Sequence, residues 1–166
     1  MAKRELPFDP SDSAEAVRAR PHRSPPSSAS SHQAPVIIKA RQVARIARGG
    51  GVVTLPLVTR VAVAGARFTT GFSVYPPGAA ARRHKHNCDE QVTILVGRAE
   101  VEIDGVVTSL AHHDSTYIPA GLTHSFRNAG NGDMTMMWIY SASRVTRTMA
   151  DTGEVVQHLS ARDRIA

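Results

Sequence analysis

Residues 78–97 read GAAARRHKHNCDEQVTILVG, and the spacing inside that stretch decides the fold. His84 and His86 are separated by a single residue, so in a strand their side chains leave on the same face. Glu90 follows after a short bend, and Gly78 and Gly97 bracket the block. A second stretch, residues 113–128, reads HDSTYIPAGLTHSFRN and carries Pro119, Gly121, His124 and Asn128. His124 belongs to a later strand that can pair near the first block. Three imidazoles and one carboxylate suit a divalent transition metal: Fe, Mn, Ni, Co, Cu or Zn. Four protein donors leave positions open on an octahedral ion, and open positions are what catalysis needs.

The two blocks resemble the paired motifs of the cupin superfamily, G-x5-H-x-H-x3-E-x6-G and G-x5-P-x-G-x2-H-x3-N. The one departure is His113, which stands at the first glycine of the second motif. A histidine tolerates an unusual turn dihedral better than a β-branched residue does. The resemblance covers roughly residues 50–141 and implies an all-β fold, the double-stranded β-helix or jelly-roll cupin barrel of a small single-domain protein. It implies a divalent metal on His84, His86, Glu90 and His124, and copies that pair into homodimers through sheet edges. It also implies a metal-dependent enzyme on a small organic substrate, anions among the candidates, of dioxygenase or isomerase/lyase type. The alternative is a non-catalytic module that binds a metal or a small ligand.

The rest of the chain agrees with that architecture. Short β signals run through Val52–Leu57, Arg60–Ala64, Phe68–Tyr75, Arg82–His86, Glu90–Val96, Ala99–Ile103, Val106–Leu110, Thr116–Ile118, His124–Arg127 and Met134–Tyr140. Asp104-Gly105 reads as a hairpin turn. Strands at this spacing without helices between them indicate an antiparallel sandwich or barrel. Residues 36–48 fit either a helical stripe or a strand, and Gly49-Gly50-Gly51 ends whichever forms. Beyond Ser141 the tail is polar, and Val155, Val156 and Leu159 fit a helical turn or an edge strand.

Residues 1–35 hold six of the ten prolines and seven serines, with few large apolar side chains. Such a segment does not bury enough surface to offset its ordering entropy, so a disordered extension is expected before a barrel domain over 36–166. The net charge is +6. The positive residues are scattered apart from Lys39, Arg41, Arg45 and Arg48, and no nucleic-acid-binding motif is visible. No apolar run approaches the ~20 residues of a membrane span, and no secretory h-region opens the chain. With one cysteine, Cys88, the expected setting is the cytoplasm.

Three further residues are pocket candidates. Arg82 lies two residues before His84, and a regular strand would turn it inward, where a guanidinium can clamp a carboxylate. Tyr75 and Trp138 sit on strands flanking the blocks and are candidates to line the pocket. Cys88, between His86 and Glu90, reads as a small filler. His112 and His113 read as a solvent-facing turn.

Overall fold

The computed structural model describes residues 34–164, and the expected disordered extension lies outside them but for its last two residues. Among the described residues twelve strands form two six-stranded antiparallel sheets. The first sheet runs β1 (Ile46–Gly49), β2 (Val52–Val58), β3 (Thr69–Tyr75), β10 (Met134–Tyr140), β5 (Glu90–Val96) and β8 (Ser115–Ile118). The second runs β12 (Val155–Gln157), β11 (Thr146–Met149), β4 (His84–His86), β9 (His124–Asn128), β6 (Ala99–Ile103) and β7 (Val106–Leu110). This is the jelly-roll sandwich that the motifs imply. No helix among the described residues is long and apolar enough to cross a membrane.

Alternation explains the layering. In β3 and β10 every second residue is buried, so Thr69, Gly71, Ser73 and Tyr75 face Met134, Met136, Trp138 and Tyr140 across one ladder. Residues on one face of a strand pair pack together and point into the space between the sheets. Gly71 stands directly opposite Trp138. A Cβ at Gly71 would come within 2.6 Å of the indole and 2.4 Å of the Leu55 carbonyl, so only glycine admits the ring here. At the β5–β6 turn, Gly97 has φ +83°, and a side chain there would press on the Asp133 carbonyl at 2.9 Å.

Arg60–Ala64 departs from the sequence expectations, and residues 36–48 and the tail resolve what those expectations left open. Arg60–Ala64 is a turn: the Val63 and Ala62 amides donate to the Thr59 carbonyl and hydroxyl at 2.9 and 3.1 Å. Thr59 gives the backbone a local alternative to a ladder. Residues 36–48 begin extended, make one 3₁₀ turn at Ala40–Gln42 and enter a strand only at Ile46. The polar tail supplies β11 and β12, which extend the second sheet beyond β4.

Candidate metal centre

The second sheet supplies the imidazoles and the first supplies the carboxylate. His84 and His86 occupy the two ends of β4, with Lys85 between them facing out. His124 opens β9 and pairs directly with His84. Glu90 opens β5 in the facing sheet. All four side chains are buried. The three imidazoles offer donor atoms within 4.8 Å of one another. Glu90 Oε2 lies 2.8 Å from His124 Nε2 and 3.7 Å from His86 Nε2.

Backbone carbonyls fix the orientation of each ring. His84 Nδ1 meets the Arg82 carbonyl at 2.6 Å, His86 Nδ1 the Thr146 carbonyl at 2.9 Å, and His124 Nδ1 the Leu122 carbonyl at 2.9 Å. A carbonyl only accepts, so each Nδ1 carries the proton and each Nε2 presents a lone pair to the centre. This is the outer hydrogen bond that metal-ligating histidines make. Without a cation the arrangement is poorly satisfied. His84 Nε2 and His86 Nε2 face each other at 3.2 Å. Glu90 Oε2 and His124 Nε2 are buried with no aligned hydrogen bond, close as they are. Buried polar atoms without partners are costly, and a shared divalent ion would satisfy all of them. The donor set fits a metal.

The charge states agree. Burial pushes His86 down to about 3 despite the opposing pull of Glu90. Burial, with Arg147 next, puts His84 well below its usual range. Burial alone would raise the Glu90 carboxyl, but His124, His86 and Tyr140 around it hold it at about 2. The centre thus offers one carboxylate beside neutral His84 and His86 at neutral pH.

Tyr75 and Trp138 are buried and line the interior cavity together with His84 and Glu90. Arg82 does not. Its guanidinium pairs with Asp151 at 2.6 Å on the surface, where the Arg82 side chain is 40% exposed. The strand begins only at His84, so the alternation that would have turned Arg82 inward does not reach it. Its contribution to the centre is the carbonyl that holds His84. Cys88 is buried in the core and its thiol is pushed up to about 11, by burial first and then by Glu90 and Asp89. It stands outside the cluster of donor atoms. Asn128 donates to the Tyr75 and Gly132 carbonyls at 2.8 Å each and accepts from the Gly130 amide. His113 adopts φ +74°, the left-handed conformation for which its motif position ordinarily keeps glycine.

Sequence reasoning missed a second polar group beside the centre. Arg48 and Arg147 are 1% and 5% exposed and line the interior, and Asp163 lies between them with His158 alongside. Arg147 stands opposite His86 in the β11–β4 ladder, so its side chain shares the inward face. The only signal was the alternation of Thr146, Arg147, Thr148 and Met149, which reads as an exposed polar strand unless a buried counter-ion is known.

A jelly roll with three imidazoles and a carboxylate converging between its sheets defines a cupin. Residues 71–140 match the family model described as a cupin domain, and the fold around them is a cupin barrel. It is 33% identical over 92 residues to the polyketide synthase CurC of Streptomyces cyaneus, a match covering 55% of this chain and 58% of CurC. In fold it resembles a sugar phosphate isomerase from a cupin superfamily of Silicibacter pomeroyi, with a TM-score of 0.58 and 19% identity. That match covers 79% of this chain and 100% of the isomerase. It also resembles a protein of Thermotoga maritima described as a predicted oxalate decarboxylase. Here the TM-score is 0.56 and the identity 23%, over 63% of this chain and 97% of that one. The two structural likenesses speak for the fold.

Proposed function

We propose that the chain is a metal-dependent enzyme acting on a small anionic organic molecule, with His84, His86, Glu90 and His124 holding one divalent transition metal. The observation that carries this is the convergence of three Nε2 lone pairs, each fixed by a backbone carbonyl, on a carboxylate oxygen without an aligned partner. A metal bound there supplies a Lewis acid and, if it is redox-active iron, oxygen chemistry of the dioxygenase type. The chain's own residues supply the rest. Burial, with Glu90 next, keeps the Tyr140 phenol protonated well above its usual range, so its hydroxyl retains a proton beside the carboxylate. Trp138, Tyr75 and Phe126 wall the interior and exclude water. Arg147 places a permanent positive charge on the same face as His86.

Elemental analysis of protein purified without chelators, beside His124→Ala, tests the ligand set, with circular dichroism to confirm that both fold. Wild type should hold about one equivalent of metal and the variant much less. A folded wild type that takes up none of Fe, Mn, Ni, Co, Cu or Zn sinks the reading. Incubation of the loaded protein with hydroxy acids, keto acids and sugar phosphates, followed by mass spectrometry, then tests turnover.

One observation favours a non-catalytic metal-binding module instead. The interior beside the centre is almost full, with about 10 Å³ of free space. A loaded protein that binds panel members without converting any would support that reading.

A further inference from the structure

We propose that Arg48 and Arg147 form a carboxylate clamp beside the metal centre, that the chain's own Asp163 occupies it in the closed state, and that a small carboxylate ligand enters by displacing Asp163. This rests on the metal-centre reading above and adds to it the ligand class and the route in.

A filled interior is the starting point. The space bounded by His84, Glu90, Tyr140, Arg48, Arg147 and His158 amounts to about 10 Å³, room for no more than a water. On the far side of His158 and Leu159 lies an open pocket of about 370 Å³, walled by Pro56, Arg60, Thr69 and Val145. That volume suits a small molecule. His158 lines both spaces, so the segment that follows β12 is the partition between them. It belongs to no strand. It turns back on itself through the Ser160 amide on the Gln157 carbonyl at 3.1 Å and the Asp163 amide on the Ser160 carbonyl at 3.0 Å.

One side chain holds this partition shut. Asp163 Oδ2 lies 2.5 Å from Arg48 Nη2, and Asp163 Oδ1 accepts from Arg147 Nη1 at 2.9 Å. The Asp163 backbone carbonyl accepts from Arg48 Nε at 2.8 Å, and His158 Nδ1 sits 3.0 Å from Oδ2. The Leu159 amide donates to Oδ2 at 2.8 Å. Leu159 itself has φ +65°. A bulky residue persists in that conformation only where its surroundings impose it, and here the Asp163 carboxylate does so. Drawing Asp163 out of the clamp therefore also frees Leu159 to relax, and the segment moves as a unit.

The charges specify what must replace Asp163. Arg48 and Arg147 are anchored on β1 and β11, whereas Asp163 sits on the tail. Two buried guanidinium groups without their carboxylate would be strongly unfavourable, so whatever opens the partition has to bring an anion of its own. Arg147 Nε and His158 Nε2 are buried with no hydrogen-bond partner among the described residues, which leaves donors for a ligand oxygen. A planar fork matches a carboxylate, the group already seated there. A carboxylate gripped by Arg147 would lie on the face it shares with His86, next to the metal ligands.

Malonate serves as the probe and inorganic phosphate as its comparison, with the full chain in every arm. Calorimetry on chelator-treated wild type, Asp163→Asn and Asp163→Ala should show malonate binding about ten-fold or more tighter once the internal carboxylate is gone. Adding Arg147→Met to Asp163→Asn should abolish it. In wild type, saturating malonate should speed amide exchange across residues 158–164 while the strands stay protected. The exchange experiment decides the matter even if the Asp163 variants do not fold. Equal malonate affinity in wild type and Asp163→Asn, or unchanged exchange across 158–164, overturns the proposal. Tight phosphate binding with none of malonate overturns the carboxylate assignment. Because the metal is absent in these arms, malonate binding in a protein that takes up no metal would keep the clamp and remove the metal-centre reading.

Discussion

His84 and His124 are direct cross-strand partners between β4 and β9, and their ring centroids lie 4.5 Å apart. Two buried imidazoles in that position, with both Nε2 lone pairs turned inward, gain little from each other. They become a favourable pair when a cation sits between them. Glu90 completes the set from the opposite sheet, so the centre ties the two layers of the sandwich together.

Glu90→Gln should therefore separate metal binding from folding. The amide keeps the shape but removes the negative charge that offsets the ion. Wild type at a metal concentration about a hundred times its Kd should gain roughly 2.7 kcal/mol of stability over the metal-free protein. The variant should show almost none of that gain, with an unchanged far-ultraviolet spectrum. An equal metal-induced shift in both proteins, read by differential scanning calorimetry, would remove Glu90 from the ligand set.

Arg82→Ala should be nearly silent. The Arg82–Asp151 pair is solvent-exposed, and such pairs contribute about 0–1 kcal/mol. The Arg82 carbonyl that orients His84 belongs to the backbone and survives the substitution. Metal content should be unchanged and the loss of stability below about 0.5 kcal/mol. A variant that loses its metal would contradict the surface placement.

The sheet layout and the clustering of the three imidazoles were legible because each rests on local rules. Alternation in β3, β5 and β10 marks the buried faces, and the His84-x-His86 spacing places two rings on one side. What stayed hidden depends on distant partners. Arg48 and Asp163 are 115 residues apart in sequence, yet each makes the burial of the other tolerable. Read alone, each is a surface charge. Arg82 goes the other way: alternation carried back from His84 turns it inward, but the strand begins only at His84.

Gly71→Ala should be severe for a strand-centre substitution. The added methyl meets the Leu55 carbonyl and the Trp138 ring at distances no real Cβ tolerates, and neither neighbour is the end of a flexible chain. Overpacking of this kind costs about 1–3 kcal/mol, occasionally more. Chemical denaturation should show the midpoint falling, with the loss shared by a Trp138 fluorescence probe. A stability within about 0.5 kcal/mol of wild type would mean that the indole has room to shift.

His113→Gly should stabilise the protein. His113 holds φ +74° in a turn where its amide donates to the Ile94 carbonyl at 2.8 Å. The left-handed conformation costs a non-glycine residue roughly 1–2 kcal/mol, part of which glycine returns through its greater freedom in the unfolded chain. The imidazole is exposed and, among the described residues, stacks only on His112. The expected net gain is about 0.5–1 kcal/mol. A loss in thermal denaturation would show that the His112–His113 stack outweighs the dihedral strain.

Acid should weaken the fold through His158 before it reaches Asp163. Burial, against the opposing hydrogen bond to Asp163, lowers His158 from its ordinary 6.5 to about 4. Between those values the unfolded chain binds a proton at this position that the folded chain refuses, so stability falls as pH drops. The contribution is complete above pH 6.5 and is lost progressively toward pH 4, amounting to roughly 2–3 kcal/mol. Below that range Asp163 adds to the loss. Burial would raise its carboxyl, but His158, Arg147 and Arg48 hold it well below 3.8, so the unfolded state again takes the proton first. His84 and His86 titrate in the same sense, and the difference between wild type and His158→Gln isolates the His158 share. Urea midpoints measured from pH 7 to pH 4 should fall more steeply for wild type than for the variant, and parallel curves would show that His158 is not held neutral by its burial.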